Sequence, residues 1–202
     1  MKRYPVQAAR AGVDWSQATP LTDFRFPWET TPAAPTEFRA LHAAERLHFR
    51  FDCVDQDLVL AEGETAKQRV LGSDRVELFF APSLELDPYF CLEMAPNGDA
   101  YGYRARTYRQ FDDGFAWQGL ELSSSIEGTR YAVEGSLPLA TLRTLGVLAP
   151  GARELFAGVY RAEFSHLPEG GVHAGWMSWL DPKTVKPDFH VPSSFGIFEL
   201  VD

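Results

Sequence analysis

TEFRALHAAERLHFRFDCVD, residues 36–55, contains the pattern that decides the fold. Phe38 and Ala40 alternate with Arg39 and Leu41 before the turn AAER, and after it apolar residues such as Phe49 and Phe51 alternate with polar ones. Successive side chains of a strand point to opposite faces, so this stretch predicts a β-hairpin with one apolar and one polar face.

The same alternation recurs on the C-terminal side of this hairpin, in short runs separated by turn residues. The runs that predict strands are SDRVELFF, YFCLEM with AYGYRAR, GLELSSSIEGTRYAVEGSLPL, LFAGVYRAEFS, GVHAGWMSW and FGIFELV. ATLRTLG, residues 140–146, predicts one short helix that stops at Gly146. About nine or ten strands and little helix predict an all-β fold, an antiparallel β-sandwich of jelly-roll-like type with one short helix.

Composition and charge narrow the classes of function. The chain has 202 residues, 45 % of them hydrophobic, which suits one domain over residues 1–202 with a single sizeable core. The formal net charge of −9 and the dispersed Lys and Arg residues argue against nucleic-acid and anionic-membrane partners. The N-terminus has no apolar segment typical of a signal peptide, so we expect a cytoplasmic location, or a secreted or periplasmic one if a leader has been removed. The oligomeric state stays open.

Catalytic and metal-binding motifs are weak in this sequence. It contains no HExxH, GxSxG or glycine-rich phosphate loop, so an enzyme is the less favoured interpretation. Glycoside hydrolysis by an acid pair, Glu77 and Glu93, remains an alternative. Asp52, Asp55 and Asp57 alternate at a strand end and can offer oxygens to a structural calcium ion, although no glycine-centred calcium loop accompanies them.

Aromatic residues in turn-rich segments point to a different chemistry. An indole ring can stack on the apolar face of a sugar while nearby charged side chains bind its hydroxyls. GWMSW, residues 175–179, places Trp176 and Trp179 on opposite faces of a strand, so we expect one in the core and one exposed. Trp117, in DDGFAWQG, is a further candidate.

Four motifs in order resemble family 9 carbohydrate-binding modules, also described as DOMON-like sugar-binding domains. They are LHFRFDCVDQD, LGSDRVELFF, RYAVEGSLPLATL and FHVPSSFGIFEL, which lie within residues 36–91 and 117–200. The resemblance implies a β-sandwich that binds a saccharide or a glycan chain end without cleaving it. It also implies a frequent association with xylanases in carbohydrate catabolism, structural calcium, and a terminal sugar held between two tryptophans.

The resemblance also assigns aromatic residues. Trp179 matches the tryptophan that the family carries late in its sequence, and Trp176 is the second choice for that match. We expect Trp179 to be the exposed platform and Trp176 the core residue. The loop expected to carry the other tryptophan, residues 61–73, has no aromatic residue, so Trp117 or Tyr108 is expected to substitute. A slot with aromatic walls formed by residues 61–73, 108–118 and 173–192 would support this interpretation.

Polar partners for sugar hydroxyls are expected on one shared face of the sheet. The five candidates are Arg75, Glu77, Glu93, Arg104 and Arg106. Related sandwiches bind haem through axial ligands such as Met, so a haem-binding or structural interaction domain is a third hypothesis. Met94 and Met177 are present, but no pair of ligands is recognisable.

Overall fold

The described part of the chain contains twelve strands and two short α-helices. The computed structural model describes residues 1–10 and 12–202. The strands are β1 (Arg3–Ala8), β2 (Thr36–Ala43), β3 (Arg46–Val54), β4 (Arg75–Ala81), β5 (Tyr89–Met94), β6 (Ala100–Arg106), β7 (Gln110–Asp112), β8 (Glu121–Glu127), β9 (Arg130–Pro138), β10 (Glu154–His166), β11 (Val172–Ser178) and β12 (Gly196–Val201). The helices are α1 (Ala66–Leu71) and α2 (Leu139–Thr144), and single 3₁₀ turns occupy Trp15–Gln17 and Pro192–Ser194. Neither helix is long or apolar enough to span a membrane.

The prediction of an all-β sandwich is confirmed, with one helix more than predicted. One sheet in the order β7-β6-β5-β4-β10-β12-β1-β2-β3-β9-β8 folds over on itself, and β11 pairs with the second half of β10. Its two halves share one apolar core. Phe38 of β2, for example, stacks on Phe198 of β12 with ring centroids 5.6 Å apart.

Strand β1 joins the two halves of the sheet, and its pairings are parallel. It pairs with β12 from Arg3–Ile197 to Gln7–Val201, and with β2 from Gln7–Leu41. A purely antiparallel sheet was predicted because the sequence pattern of residues 3–8 was not recognised as a strand.

The half of the sheet that contains β4 and β5 is buried on both faces. Val76, Leu78 and Phe80 point into the shared core, whereas Glu77 and Phe79 point to the other face, here called the outer face. A second aromatic cluster covers part of the outer face, and the chain between β11 and β12 packs over it. Four of the nine candidate ligand-binding residues, Arg75, Glu77, Glu93 and Trp176, lie on this outer face.

Candidate functional site

A pocket of about 460 Å³ opens on the outer face of the sheet. Its floor comes from β4, β5 and β11, one wall from β6 and β7, and the opposite wall from residues 187–190. Its rim includes side chains of α1. All three segments singled out in the sequence, residues 61–73, 108–118 and 173–192, therefore contribute to one pocket.

The floor of the pocket carries a buried group of one arginine and two glutamates. Arg75 and Glu77 are two residues apart on β4, and Glu93 is the cross-strand partner of Glu77 on β5. The Nε of Arg75 donates a hydrogen bond of 2.7 Å to Glu93 Oε2 and lies 3.0 Å from Glu77 Oε1. Each of the three residues is at most 4 % exposed, so strand alternation and burial place three charged groups side by side.

The two glutamates differ in how well they are satisfied. Tyr103 donates its hydroxyl proton to Glu93 Oε1 over 2.9 Å. Glu77 Oε1, by contrast, is shielded from solvent and has only its ion-pair contact with Arg75, without a well-aligned hydrogen bond among the described residues. Burial raises the pKa of Glu77 well above its usual range, and the charge of Glu93 acts in the same direction, against that of Arg75. Glu77 is therefore the less well compensated of the two buried carboxyl groups at the floor of the pocket.

Trp176 lies beneath this group and belongs to the pocket. It is paired with Ala162 across β10 and β11, and its ring lines the floor. The guanidinium carbon of Arg75 lies 5.2 Å from the centroid of the ring, a cation–π contact. Phe164 and Phe189 meet the ring edge to face, so Trp176 is held from several sides.

The predicted roles of the two tryptophans of GWMSW are exchanged. The two rings do lie on opposite faces, as the alternation predicts. Trp179, however, is only 2 % exposed and packs in the shared core, with its ring centroid 6.2 Å from that of Phe198. A Cβ on Gly196 would lie 2.5 Å from Trp179 Cζ3, so the ring needs a glycine beside it. The prediction of Trp179 as the exposed platform was wrong, because it points to the inner face together with Met177.

The aromatic walls come from residues that sequence reasoning did not select. Tyr101 and Tyr103 of β6 stack with centroids 5.0 Å apart, and Phe111 of β7 meets Tyr103 edge to face. Phe111 is 46 % exposed. The opposite wall includes Phe189, which stacks on Tyr160 at 4.2 Å. The register of the β5–β6 hairpin pairs Glu93 with Tyr101, and this register is the signal that could have identified both tyrosines.

Neither expected substitute for the missing tryptophan lines the pocket. Trp117 is 8 % exposed in the shared core, and its Nε1 donates a hydrogen bond of 2.9 Å to the Cys91 carbonyl oxygen. Tyr108 is 58 % exposed and is not part of the pocket lining, although its hydroxyl donates to Asp188 of the wall formed by residues 187–190. Trp117 points inward because it packs against β4 and β5 from the core side, where its ring centroid lies 5.7 Å from that of Phe80.

Arg104 and Arg106 do not share a face with Glu93, which corrects a second prediction. Arg104 is the cross-strand partner of Phe90, a core residue, so both arginines point away from the outer face. They form exposed ion pairs with Asp112 and Asp87 respectively. The alternation of side chains assigns a residue of β6 to the correct face only when the pairing register between β5 and β6 is known.

Residues 61–73, which include α1, contribute no aromatic residue to the pocket. Thr65 caps the helix and forms a capping box with Gln68. The helix presents Lys67 and Leu71 to the pocket. Lys67 lies over the ring of Tyr101, with its Nζ 5.2 Å from the centroid. The rim is therefore cationic and aliphatic on this side.

The three aspartates predicted as calcium ligands are separated in the structure. Asp52 pairs with Arg50, and Asp57 accepts hydrogen bonds from His166. Only Asp55 joins a possible metal-binding group. Asp52 lies within β3, whereas Asp55 and Asp57 follow the strand, and each carboxylate has a different partner. The sequence prediction of a site formed by all three is therefore wrong.

Asp55 instead forms a buried cluster with Asp74 and Glu163, whose oxygens lie within 4.8 Å of one another. Arg161 lies among them: its Nη2 is 3.1 Å from Asp55 Oδ2 and also contacts the Glu163 carboxylate. Burial raises the pKa of Asp74 to about 7 and that of Glu163 to about 8, and Arg161 acts against both shifts.

This cluster does not fit a calcium ion. Both oxygens of Asp74 already accept backbone N–H groups, from Val59 and Phe164, at 2.6 Å each. A calcium ion takes six to eight oxygen ligands. In this structure the guanidinium of Arg161 supplies positive charge at the place where a cation would have to bind.

The methionines considered for haem are core residues. Met94 is 1 % exposed and Met177 is fully buried, and both lie in the shared core, away from the pocket. Neither sulfur is positioned as an axial ligand for a group in the pocket.

Solved structures with the same architecture exist at low sequence identity. A Bacteroides uniformis protein described as a candidate carbohydrate-binding protein has a TM-score of 0.75 at 17 % identity, and the match covers 99 % of each chain. A family 9 carbohydrate-binding module from Caldicellulosiruptor kristjanssonii in complex with glucose has a TM-score of 0.65 at 14 % identity, over 99 % of this chain and 96 % of that one. The corresponding complex with cellotriose has a TM-score of 0.64 at 14 % identity, over 98 % and 93 %. At these identities the likeness shows the fold.

The sequence itself carries the family assignment. No curated protein matches the chain. The model of one protein family matches residues 9–202, nearly the whole length. The chain therefore belongs to the carbohydrate family 9 binding domain-like family.

Proposed function

We propose that the pocket on the outer face binds a small saccharide or the end of a glycan chain, without cleaving it. The observation that carries this proposal is a pocket of about 460 Å³ with the buried Arg75, Glu77 and Glu93 group at its floor and aromatic rings in its walls. Ligand pockets typically have volumes of about 300–1,000 Å³ and a few placed polar groups among apolar walls. Sugar hydroxyls are suited to Glu77 because they both donate and accept hydrogen bonds.

The walls support the same ligand class. Tyr101 and Phe111 offer ring surface on one side, and Phe189 on the other. The apolar C–H faces of a sugar ring pack favourably on such surfaces. Trp176 supports the floor, because Arg75 covers one of its faces. Family membership and the likeness to modules in complex with glucose and cellotriose add support for a saccharide. The proposed binding serves polysaccharide catabolism.

Calorimetric titration with glucose, cellobiose, cellotriose and xylobiose tests the proposal. We expect at least one sugar to bind the wild type. Glu77→Gln is expected to weaken that binding about three- to tenfold, because the amide cannot reproduce every hydrogen bond of the carboxyl group and one such bond contributes about 0.5–1.5 kcal/mol. Glu169→Gln is the matched control, since Glu169 lies in the β10–β11 turn, outside the pocket lining. Absence of binding by the folded wild type, or unchanged binding by Glu77→Gln, would contradict the proposal.

Glycoside hydrolysis is a second candidate function, favoured by one observation. Glu77 and Glu93 lie in one pocket, and the raised pKa of Glu77 is typical of a general acid. Both carboxylates, however, approach the same nitrogen of Arg75 from neighbouring strands of one face. A glycosidase needs carboxyl groups that flank the scissile bond. Chromatography of cellotriose incubated with the protein separates the two functions, because only hydrolysis releases shorter sugars.

A further inference from the structure

His190 lies at the aromatic end of the pocket and is held there by its neighbours. Its ring centroid is 5.2 Å from that of Phe79 and 5.4 Å from that of Phe111. Its Nδ1 is 2.9 Å from the hydroxyl oxygen of Tyr89. Burial lowers the pKa of His190 to about 4, and Arg109 acts in the same direction, so the imidazole is neutral at neutral pH.

The hydrogen bond to Tyr89 determines which ring nitrogen carries the proton. Tyr89 is fully buried, and its hydroxyl has no other hydrogen-bond partner among the described residues. The hydroxyl proton therefore has one available acceptor, Nδ1 of His190. A neutral imidazole carries a single proton, so Nδ1 accepts and the proton lies on Nε2.

The protonated nitrogen is available to a ligand. His190 lines the pocket, and its Nε2 has no partner within the described part of the chain. This nitrogen is not shielded from solvent. An uncharged N–H donor therefore faces the pocket, which also contains the buried carboxyl group of Glu77.

We propose that His190 is a ligand-binding residue, and that Tyr89 is its positioning residue, which keeps the imidazole in the Nε2–H form so that it donates a hydrogen bond to a sugar oxygen. This proposal rests on the proposed function and names a contact within it. The pocket then offers a neutral donor at His190 and a buried carboxyl group at Glu77. Neutral sugars with free hydroxyls satisfy both groups at once.

Nitrogen NMR of the protein without ligand tests the tautomer independently of sugar binding. Two-bond proton–nitrogen spectra of histidine-labelled protein at pH 7 distinguish protonated from unprotonated ring nitrogens. His190 is identified among the five histidines by the signals missing from His190→Phe. We expect protonated Nε2 and unprotonated Nδ1 in the wild type, and a tautomer mixture in Tyr89→Phe. A proton on Nδ1 in the wild type would overturn the role of Tyr89.

Titration with glucose and cellobiose tests the ligand contact. His190→Phe keeps an aromatic ring but has no donor, so we expect its affinity to fall about three- to tenfold, the effect of one hydrogen bond. His190→Gln retains an amide N–H and is expected to recover part of the affinity. Melting curves verify that each variant is folded. If the wild type binds a sugar and a folded His190→Phe binds it equally well, the contact is refuted. If the wild type binds none of the sugars of the wider titration, the proposed function fails as well, while the NMR result still decides the tautomer.

Discussion

Replacing Arg161 by methionine should destabilise the protein by about 3–5 kcal/mol at pH 8, the cost of leaving buried charges without their partner. The guanidinium is fully buried. It donates hydrogen bonds to Asp55 Oδ2 at 3.1 Å, to Thr36 Oγ1 at 2.9 Å and to the Val54 carbonyl oxygen at 3.0 Å. Methionine is also unbranched and fills much of the same space, so the loss reports mainly on charge and hydrogen bonding.

The size of the effect should depend on pH. Without Arg161, a proton can neutralise Glu163 or Asp74, whose pKa values are raised to about 8 and about 7 in the folded wild type. Loss of the guanidinium would raise both pKa values further, because Arg161 acts against both shifts. At pH 5 both carboxyl groups are then protonated, and the cost of the substitution should be smaller than at pH 8.

Urea unfolding at pH 5 and pH 8 measures the two free energies of unfolding. In a chain of this length, the loss at pH 8 corresponds to a melting temperature lower by about 10 °C. Arg143→Met is the matched control, because Arg143 forms an exposed ion pair with Glu45 and such pairs contribute only about 0–1 kcal/mol.

Treatment with a chelator shows whether Arg161 or a bound metal ion supplies the positive charge beside Asp55, Asp74 and Glu163. We expect EDTA to leave the melting temperature of the wild type unchanged. A clear decrease with EDTA, reversed by calcium, would refute the reasoning, because a bound cation would then hold these carboxylates. A loss below about 1 kcal/mol in Arg161→Met at pH 8 would refute it as well.

Four further predictions concern stability and binding. The pKa values of Asp74 and Glu163 are higher in the folded protein than in the unfolded chain, so the native state binds more protons between about pH 5 and 8. The wild type should therefore lose stability as pH rises through this range, and urea unfolding of Glu163→Gln should show a shallower loss. Trp179→Ala should cost about 3–5 kcal/mol in urea unfolding, as for other core aromatics, whereas an exposed platform would cost little. Gly196→Ala should cost about 1–3 kcal/mol in the same measurement, because its Cβ would overlap the Trp179 ring; unchanged stability would contradict this packing. Arg104→Gln should bind sugars as the wild type does in calorimetry, since Arg104 points away from the pocket; weaker binding would support the face predicted from sequence.

Alternation in the sequence predicts strands well, but it does not tell which face of a doubly buried strand is the inner one. In the hairpin of β2 and β3 one face is apolar, so Phe49 and Phe51 were assigned to the core correctly. Around Trp176 and Trp179 both faces are covered, and each face accepts an indole. The choice depends on Gly196 and on the chain that packs over the outer face, and both lie at a distance along the sequence.

The site was predictable in part for a related reason. Glu77 and Glu93 were found because each lies on a clearly alternating strand, and cross-strand pairing brings them together. Arg104 was assigned to the wrong face because the pairing register of β5 and β6 depends on the conformation of the five-residue connection 95–99. The length of that connection alone does not reveal the register. The wall formed by residues 187–190 belongs to no strand, so no periodicity indicated it.

The parallel pairing of β1 with β12 has a mechanical consequence. Arg3 lies beside Ile197 and Gln7 beside Val201, so the chain enters β1 at one end of the pair and leaves β12 at the other. Tension applied along the chain, from before β1 to after β12, pulls the two strands past each other along their length. Their hydrogen bonds then share the load in shear and do not open one after another. A domain of this topology is suited to resist tension applied along its chain.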